Sequence, residues 1–373
     1  MTSSPPIIDP VQRPPAPAPH RWLPKRVLVT AAAYEQPHGR VIVERCARAG
    51  VPDIDVLRGN RLPSLRAEDE RRTYALAKST LAVVTSSEGK RRLQPIPPSA
   101  DWSFSIAEGC PAHCQYCYLA GSLAGPPLTR VYADLPRILA GLDPYVGRGD
   151  VTSTSPRRAG EGTTFAASCY TDPLALEHLT GSMSAAVAHF GAHEWPGPVQ
   201  LRFTTKFADV DPLLGLAHHG RARVRMSVTA AAVSRRFEGG TDPLAARIDA
   251  LARLAGAGFP VGLTIAPIMP VPGWREEYAS LLDDVAAALA GSADLDLTVE
   301  CITHRFTPKS KQVQLGWYPR TRLDLDEEKR SVKRGRFRAV KHVYQRETMA
   351  ELRGWFSDAL PQRLPAARWL YWT

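Results

Sequence analysis

The sequence contains no run of eighteen consecutive apolar residues, so we expect no transmembrane helix. Its first 22 residues are rich in proline, and they have neither a basic segment followed by an apolar one nor a small-residue cleavage site. These absences argue against an integral membrane protein and against a secreted one. We therefore expect a cytoplasmic protein without a membrane partner.

Cysteine is scarce, with 6 residues in a chain of 373. A chain of this length that is 44% hydrophobic can bury a substantial core, so it does not need disulfides for stability. In a reducing cytoplasm the thiols stay free, bind metal or take part in catalysis. The position of each cysteine is therefore informative.

Acidic residues are missing from one segment near the end of the chain. The net charge is +10, and from residue 301 onward sixteen Lys and Arg oppose seven Asp and Glu. Residues 329–346 hold eight basic residues, two aromatic ones and no acidic one. Arginine can bridge phosphate oxygens and aromatic rings can stack on bases, so this segment is a candidate DNA-binding surface. A solvated basic face without a partner is the alternative. The candidate contacts are Arg334, Arg336, Arg338 and Lys341.

The hydrophobic pattern divides the chain into four parts. Residues 1–22 lack apolar periodicity and are expected to be a disordered tail, and residues 23–100 form a small N-terminal α/β domain. Residues 101–310 contain six β-then-α units in series, which predict a parallel sheet curved into a full or partial barrel. Residues 311–373 are the basic C-terminal region, to which we assign DNA binding.

Polar side chains follow four consecutive strands of this pattern. In a β/α barrel, the carboxyl ends of the strands are where binding and catalytic groups gather. Each residue alone could simply cap a helix, but the convergence of four loops favours one active site. The four positions are the loop 110–117, the stretch 168–172, Thr205 with Lys206, and Ser227 with Thr229.

The first of these loops, GCPAHCQYC, places Cys110, Cys114 and Cys117 at a Cys-x-x-x-Cys-x-x-Cys spacing and lacks a fourth cysteine. Structural zinc uses four ligands, so a zinc site would need His113 or Cys169 as well. A four-iron cluster held by three thiolates leaves one iron open for an exogenous ligand. Such an iron can bind S-adenosylmethionine and reduce it to a 5′-deoxyadenosyl radical. The spacing favours the cluster over zinc.

This loop, with Tyr116 directly before its last cysteine, resembles the cluster motif of the radical SAM superfamily, which implies a partial (β/α)6 TIM-type barrel. The segments FAASCYTDPLALEHLTGS, FEGGTDPLAARI, IAPIMPVPGWREEY and YPRTRLDLDEEKRSVKRGRF follow in order. Together they resemble the spore photoproduct lyase family from about residue 100 to the C-terminus. The resemblance implies a DNA repair lyase that uses adenosyl radical chemistry. Its substrate would be the spore photoproduct, a UV-induced methylene-bridged thymine dimer that is reversed to two thymines.

The resemblance also implies roles for individual residues. The three loop cysteines would hold a 4Fe-4S cluster, and Cys169 would donate a hydrogen atom to the product thymine radical. Tyr118 and Tyr116 would carry the radical from the Cys169 thiyl back toward 5′-deoxyadenosine. The contacts implied for S-adenosyl-L-methionine are Thr171, Asp172, Lys206 and Ser227.

The implied partners are UV-damaged DNA and an electron donor such as a flavodoxin or a ferredoxin, with the protein acting as a monomer. Two other functions stay open from the sequence. One is a radical SAM enzyme that acts on another nucleic acid, such as an RNA-modifying transferase. The other is a zinc-stabilised DNA-binding module without catalysis. Cys46 and Cys301 are expected to be buried structural residues.

Overall fold

The computed structural model describes residues 19–123, 125–292, 294–334 and 340–373. The expected disordered tail lies almost entirely outside them. Their strands, in chain order, are β1 (Arg26–Val29), β2 (Ile54–Val56), β3 (Thr80–Val84), β4 (Gln94–Ile96), β5 (Ala100–Phe104), β6 (Ala107–Glu108), β7 (Thr129–Tyr132), β8 (Thr163–Ala167), β9 (Val199–Thr205), β10 (Ala222–Val228), β11 (Val261–Ile268), β12 (Leu297–Thr303), β13 (Arg330–Arg334), β14 (Val340–Tyr344) and β15 (Ala367–Trp372).

Helices alternate with the strands along most of the chain. None of those in the described ranges combines the length and the hydrophobicity needed to cross a bilayer. Short 3-10 turns cover Asp143–Tyr145, Pro156–Glu161 and Leu174–Leu176. The helices are α1 (Ala31–Glu35), α2 (Pro37–Arg48), α3 (Glu70–Lys78), α4 (Glu88–Arg91), α5 (Leu119–Ser122), α6 (Leu135–Ala140), α7 (Glu177–Thr180), α8 (Ser182–Ala192), α9 (Asp211–Leu214), α10 (Ala231–Phe237), α11 (Leu244–Gly256), α12 (Trp274–Leu289), α13 (Pro308–Trp317) and α14 (Arg346–Arg363).

The larger sheet contains the six parallel strands that the sequence predicts. They pair side by side in the order β5, β8, β9, β10, β11 and β12. Every residue of β10 is buried, as expected for a parallel strand that is covered on both faces. β4 adds to one edge in antiparallel fashion and β15 to the other in parallel. These two edge strands do not pair with each other in the described part of the chain, so the barrel is partial.

Helical crossovers join the parallel strands, because a parallel neighbour cannot be reached by a tight turn. α11, which connects β10 to β11, shows why such segments fold as helices. Its Ile248, Leu251 and Leu254 recur at helical spacing, and all three are buried. The apolar stripe fixes this helix against the sheet.

The smaller sheet has the order β2-β1-β3-β7-β6. Its first three strands come from the expected N-terminal domain, but β6 and β7 lie beyond residue 100 and pair antiparallel with each other. The expected boundary at residue 100 therefore does not separate the two sheets. β6 and β7 flank the three-cysteine loop in sequence, so this loop connects two strands of the smaller sheet.

The C-terminal region is divided between two structures. β13 and β14 form an antiparallel hairpin with Lys333 opposite Lys341. β15, by contrast, belongs to the barrel sheet, where Leu297 of β12 pairs with Ala367. Part of the region expected to be a basic extension is thus a seventh parallel strand of the barrel. The sequence pattern does not predict this strand, because its pairing joins two distant segments of the chain.

Candidate active site

The three-cysteine loop begins at a glycine just beyond β6. Gly109 has a φ of +75°, and a Cβ added there would lie 2.3 Å from the carbonyl oxygen of Leu128. Only glycine adopts this left-handed conformation without strain and also tolerates the close approach. The chain therefore leaves the smaller sheet at a fixed point and in a fixed direction.

Hydrogen bonds tie this loop to helices from two distant parts of the chain. Gln115 N donates to the carbonyl oxygen of Phe237, the last residue of α10, over 2.8 Å. Gln314 Nε2, from α13, donates to Cys117 O over 3.1 Å. The backbone between the expected cluster ligands is thus held from both sides.

The three thiols lie together in a poorly solvated setting. Burial raises the pKa of Cys110 to about 12, and the Lys78 ammonium opposes that rise. Burial likewise raises the pKa of Cys114, on which Cys110 and Cys117 also act. Free thiolates are unfavourable here, whereas a bound metal group supplies positive charge and displaces the thiol protons. The donor set therefore fits such a group.

The arrangement differs from that of a single-ion site. No three His, Cys, Asp or Glu side chains of the described residues converge as the ligands of one metal ion would. An iron–sulfur cluster does not require this convergence, because each cysteine binds a different iron.

The second loop lies beside the first because β5 and β8 are parallel neighbours. Gly109 N donates to Tyr170 O over 2.8 Å, which joins the two loops through their backbones. Ser168 has a φ of +54°, and its Oγ accepts a hydrogen bond from Ile106 N over 3.0 Å. This conformation sets Cys169, the next residue, on the loop adjacent to the cysteine loop.

Cys169 is half-buried and borders a charged pair inside the barrel. Burial raises the pKa of its thiol to about 11, and the charge of Arg225 opposes the rise. Arg225 Nη1 in turn donates to both carboxylate oxygens of Glu300 over 2.9 Å. The thiol therefore keeps its proton at neutral pH, which is the state that a hydrogen-atom donor needs.

The two tyrosines on either side of Cys117 have different surroundings. Tyr118 is 59% exposed, and Cys169 and Cys117 are among its neighbours. Tyr116 donates its hydroxyl hydrogen to Glu238 Oε1. The two phenols thus belong to one site, with Tyr118 on its open side.

Lys206 is held in place by a buried network rather than left free in a pocket. Its Nζ donates to Ser227 Oγ over 2.9 Å and to Glu238 Oε1 over 2.7 Å. Arg247 Nη2 reaches the other oxygen of the same carboxylate, Oε2, over 2.7 Å. Although burial alone would raise it, the charges of Lys206 and Arg247 hold the pKa of Glu238 below its usual range.

Asp172 and Thr171 adjoin this network. Asp172 accepts hydrogen bonds from Thr205 Oγ1 and from Lys206 N, both over 2.7 Å. Burial nevertheless raises its pKa to about 6, against the lowering effect of those bonds. Thr171 Oγ1 is buried and has no hydrogen-bond partner within the described ranges. An unsatisfied buried hydroxyl at this position fits a site that receives a polar ligand.

The basic hairpin is described only in part. Arg334 and Lys341 lie on its two strands and are exposed, whereas Arg336 and Arg338 fall outside the described residues. Burial lowers the pKa of Lys341, and the charges of Arg305 and Lys333 add to that effect. Like charges are therefore concentrated on this hairpin.

Sequence reasoning missed two residues of the site. Glu238 stands in the segment FEGGTDPLAARI, which carries the family resemblance, but nothing in its local pattern indicates a buried carboxylate. Lys78 lies in the N-terminal part of the chain, and its Nζ donates to Cys110 O over 2.5 Å. No sequence signal connects it to the loop.

An open β/α sheet with a three-cysteine loop beyond its first parallel strand defines the protein as a member of the radical SAM class. A sequence model of the family described as spore photoproduct lyase matches residues 22–373. The chain is 35% identical over 352 residues to spore photoproduct lyase of Bacillus subtilis (strain 168), covering 94% of this chain and 99% of the relative. It is 36% identical over 355 residues to that of Geobacillus sp. (strain Y412MC61), with coverages of 94% and 99%. The chain therefore belongs to the spore photoproduct lyase family.

Solved structures give the same result for the fold. One is a spore photoproduct lyase variant with dinucleoside spore photoproduct, at 36% identity and a TM-score of 0.85, covering 95% of this chain and 100% of that one. Another holds both AdoMet and dinucleoside spore photoproduct, at 35% identity and a TM-score of 0.84, with coverages of 94% and 99%. The predicted partial-barrel fold class is confirmed.

Proposed function

We propose that this protein is a DNA repair lyase that reverses the spore photoproduct in UV-damaged DNA to two thymines. Membership of the spore photoproduct lyase family supports the reaction, and a relative with bound AdoMet and dinucleoside spore photoproduct supports the cofactor and the substrate. The observation that carries the proposal is the hydrogen bond from Gly109 N to Tyr170 O, because it sets the cysteine loop beside the loop of Cys169.

Cys110, Cys114 and Cys117 hold a 4Fe-4S cluster in this proposal. With S-adenosyl-L-methionine bound, the cluster supplies a 5′-deoxyadenosyl radical that can take a hydrogen atom from the substrate. The cost of free thiolates in the loop supports this ligand role, and the unsatisfied Thr171 hydroxyl supports a polar ligand next to it. The residues assigned to S-adenosyl-L-methionine are Thr171, Asp172, Lys206 and Ser227.

Cys169 is the proposed hydrogen donor to the thymine radical that remains after the methylene bridge breaks. The S–H bond of Cys169 breaks homolytically, a C–H bond forms on the thymine, and the unpaired electron stays on sulfur. The raised pKa of the thiol supports this role, because only the protonated form carries the hydrogen atom. Tyr118 then donates its hydroxyl hydrogen atom to the Cys169 thiyl, and Tyr116 donates its own to the Tyr118 phenoxyl. The Tyr116 phenoxyl takes a hydrogen atom from 5′-deoxyadenosine, which restores the adenosyl radical from which S-adenosyl-L-methionine is regenerated.

The partners of this reaction are UV-damaged DNA and a one-electron donor such as a flavodoxin or a ferredoxin. The concentration of basic residues on the β13–β14 hairpin supports contact with the DNA phosphates. We further propose that the protein acts as a monomer in the cytoplasm.

The test compares two cysteine variants of the anaerobically reconstituted protein. Each is incubated with dinucleotide spore photoproduct, S-adenosyl-L-methionine and dithionite, and the products are resolved by mass spectrometry. Cys169→Ala should still cleave the cofactor and open the lesion, but yield thymine adducts and consume S-adenosyl-L-methionine instead of regenerating it.

Cys301→Ala is the matched control, because Cys301 is a fully buried cysteine in β12. It should yield two unmodified thymines. Clean thymines from Cys169→Ala would remove Cys169 as the donor, and an unchanged lesion with the wild-type protein would refute the proposed function itself.

A further inference from the structure

A buried lysine from the N-terminal part of the chain contacts the cysteine loop. Lys78 is the last residue of α3, and only 8% of it is exposed. Its Nζ donates to Cys110 O over 2.5 Å and also to Ala112 O. One ammonium thus binds two carbonyl oxygens of the loop within three residues of each other.

Among the residues that the structure describes, this ammonium has no carboxylate partner. The ion pairs of the described residues include four other lysines but not Lys78. Burying a charge is costly unless an opposite charge or several hydrogen bonds compensate for it. Two carbonyl oxygens supply part of that compensation. A negative charge close to Lys78 would offset the rest of the cost of burying the ammonium.

The cysteine loop can supply that negative charge. The Lys78 ammonium opposes the burial effects on both Cys110 and Cys117, so its field reaches two of the three thiols. When these residues bind a metal group they do so as thiolates. Lys78 then lies beside a concentration of negative charge, and each partner stabilises the other.

We propose that Lys78 is a positioning and charge-compensating residue of the cluster loop, which holds the loop backbone and raises the reduction potential of the cluster bound there. The inference rests on the cluster assignment of the proposed function. Hydrogen bonds and charges around a cluster set its potential, and a fixed positive charge makes the addition of an electron more favourable. The small N-terminal sheet thereby contributes to the electron-accepting step through α3, although it lies outside the barrel.

The experiment uses the full chain, reconstituted anaerobically with iron and sulfide. Lys78→Met removes both the charge and the hydrogen bonds, whereas Lys78→Gln removes the charge but keeps an N–H donor. Lys25→Met is the matched control, since it removes one exposed lysine charge at the start of the same small sheet. For each variant we measure the iron content and the thermal midpoint of the iron-free protein. A redox titration monitored by electron paramagnetic resonance gives the midpoint potential of the cluster.

Lys78→Gln and Lys78→Met should both shift the midpoint potential of the cluster to a more negative value, and Lys25→Met should leave it unchanged. A further reduction in iron content is expected for Lys78→Met alone, because only this variant also frees the two carbonyl groups. Loss of iron from both Lys78 variants, with an unchanged thermal midpoint of the iron-free protein, would equally support a charge requirement for loading.

Two results would overturn the inference. The first is a wild-type potential and wild-type iron content in Lys78→Gln. The second is a loss of iron that parallels a lower thermal midpoint of the iron-free protein, which would make Lys78 an ordinary structural residue. No DNA is present, so these results do not depend on the identity of the lesion. Wild-type protein that binds no iron would instead refute the cluster assignment.

Discussion

Lys206 Nζ lies 2.7 Å from Glu238 Oε1, and this pair connects the proposed cofactor site to the cysteine loop. The Glu238 side chain is fully buried and also binds Arg247 and the Tyr116 hydroxyl. One carboxylate thus orients a lysine, an arginine and a tyrosine from three separate segments. The loss of Glu238 would leave two cations in the interior without compensation.

Glu238→Ala should therefore reduce the free energy of unfolding by about 3 to 5 kcal/mol, as the removal of one partner from a buried ion pair does. Glu351→Ala is the control, because Glu351 pairs with Arg275 and both side chains are about half exposed. Glu351→Ala should therefore reduce the free energy of unfolding by only about 0 to 1 kcal/mol. Urea unfolding of both iron-free variants measures the difference, and equal losses would mean that the Glu238 network does not stabilise the fold.

Asp172 should make stability depend on pH. Burial raises its pKa from 3.8 to about 6, so the folded protein keeps a proton that the unfolded chain has already lost between these values. The resulting stabilisation is complete below the unfolded pKa and is lost as the pH rises through about 6. Asp172→Asn has no carboxyl group to titrate, so its free energy of unfolding relative to wild type should rise by about 2 kcal/mol between about pH 4 and about pH 7. Urea unfolding of iron-free protein at both pH values tests this, and a constant difference would contradict it.

Two glycines with the same conformation should tolerate alanine differently. Gly109 and Gly147 have φ values of +75° and +76°, but a Cβ would meet Leu128 O at 2.3 Å only at Gly109, since Gly147 has open space around it. Gly147→Ala should cost about 1 to 2 kcal/mol for the left-handed backbone alone. Gly109→Ala should reduce the free energy of unfolding by more than Gly147→Ala does. It should also lower the iron content after reconstitution, because the cysteine loop must shift. Similar losses in stability and iron would show that the close approach is not important.

Cys114→Ala should abolish cluster assembly, because two thiolates cannot retain the four irons. Cys46→Ala serves as the control, since Cys46 is fully buried in α2 and does not belong to the loop. Iron and sulfide are counted after anaerobic reconstitution. Near-wild-type amounts in Cys114→Ala would exclude this cysteine as a ligand.

Replacing Arg334 and Lys341 together with Ala should weaken DNA binding. If each contacts a phosphate, the slope of log K against log salt concentration should become shallower by about two. In the control protein, Ala replaces Arg48 and Arg137, which are exposed arginines on α2 and α6. An unchanged slope in both the hairpin variant and the control would indicate that the hairpin is a solvated basic surface without phosphate contacts.

The sequence by itself determined those features whose residues lie close together along the chain. Cys110, Cys114 and Cys117 fall on one short loop, so their spacing indicates the same ligand set whatever surrounds it. The alternation of strands and helices also repeats locally, which is why the partial barrel and the family could be predicted and were confirmed.

Only the tertiary structure decided which charges meet in the interior. Lys78 lies 32 positions from Cys110, and Glu238 lies 32 positions from Lys206, with no local pattern to join either pair. In the same way, β6 and β7 pair with the small sheet, and β15, at the end of the chain, pairs with the barrel sheet. A buried charge or an unpaired strand edge is stable only where folding brings a partner to it, so the identity of the partner is a property of the folded chain.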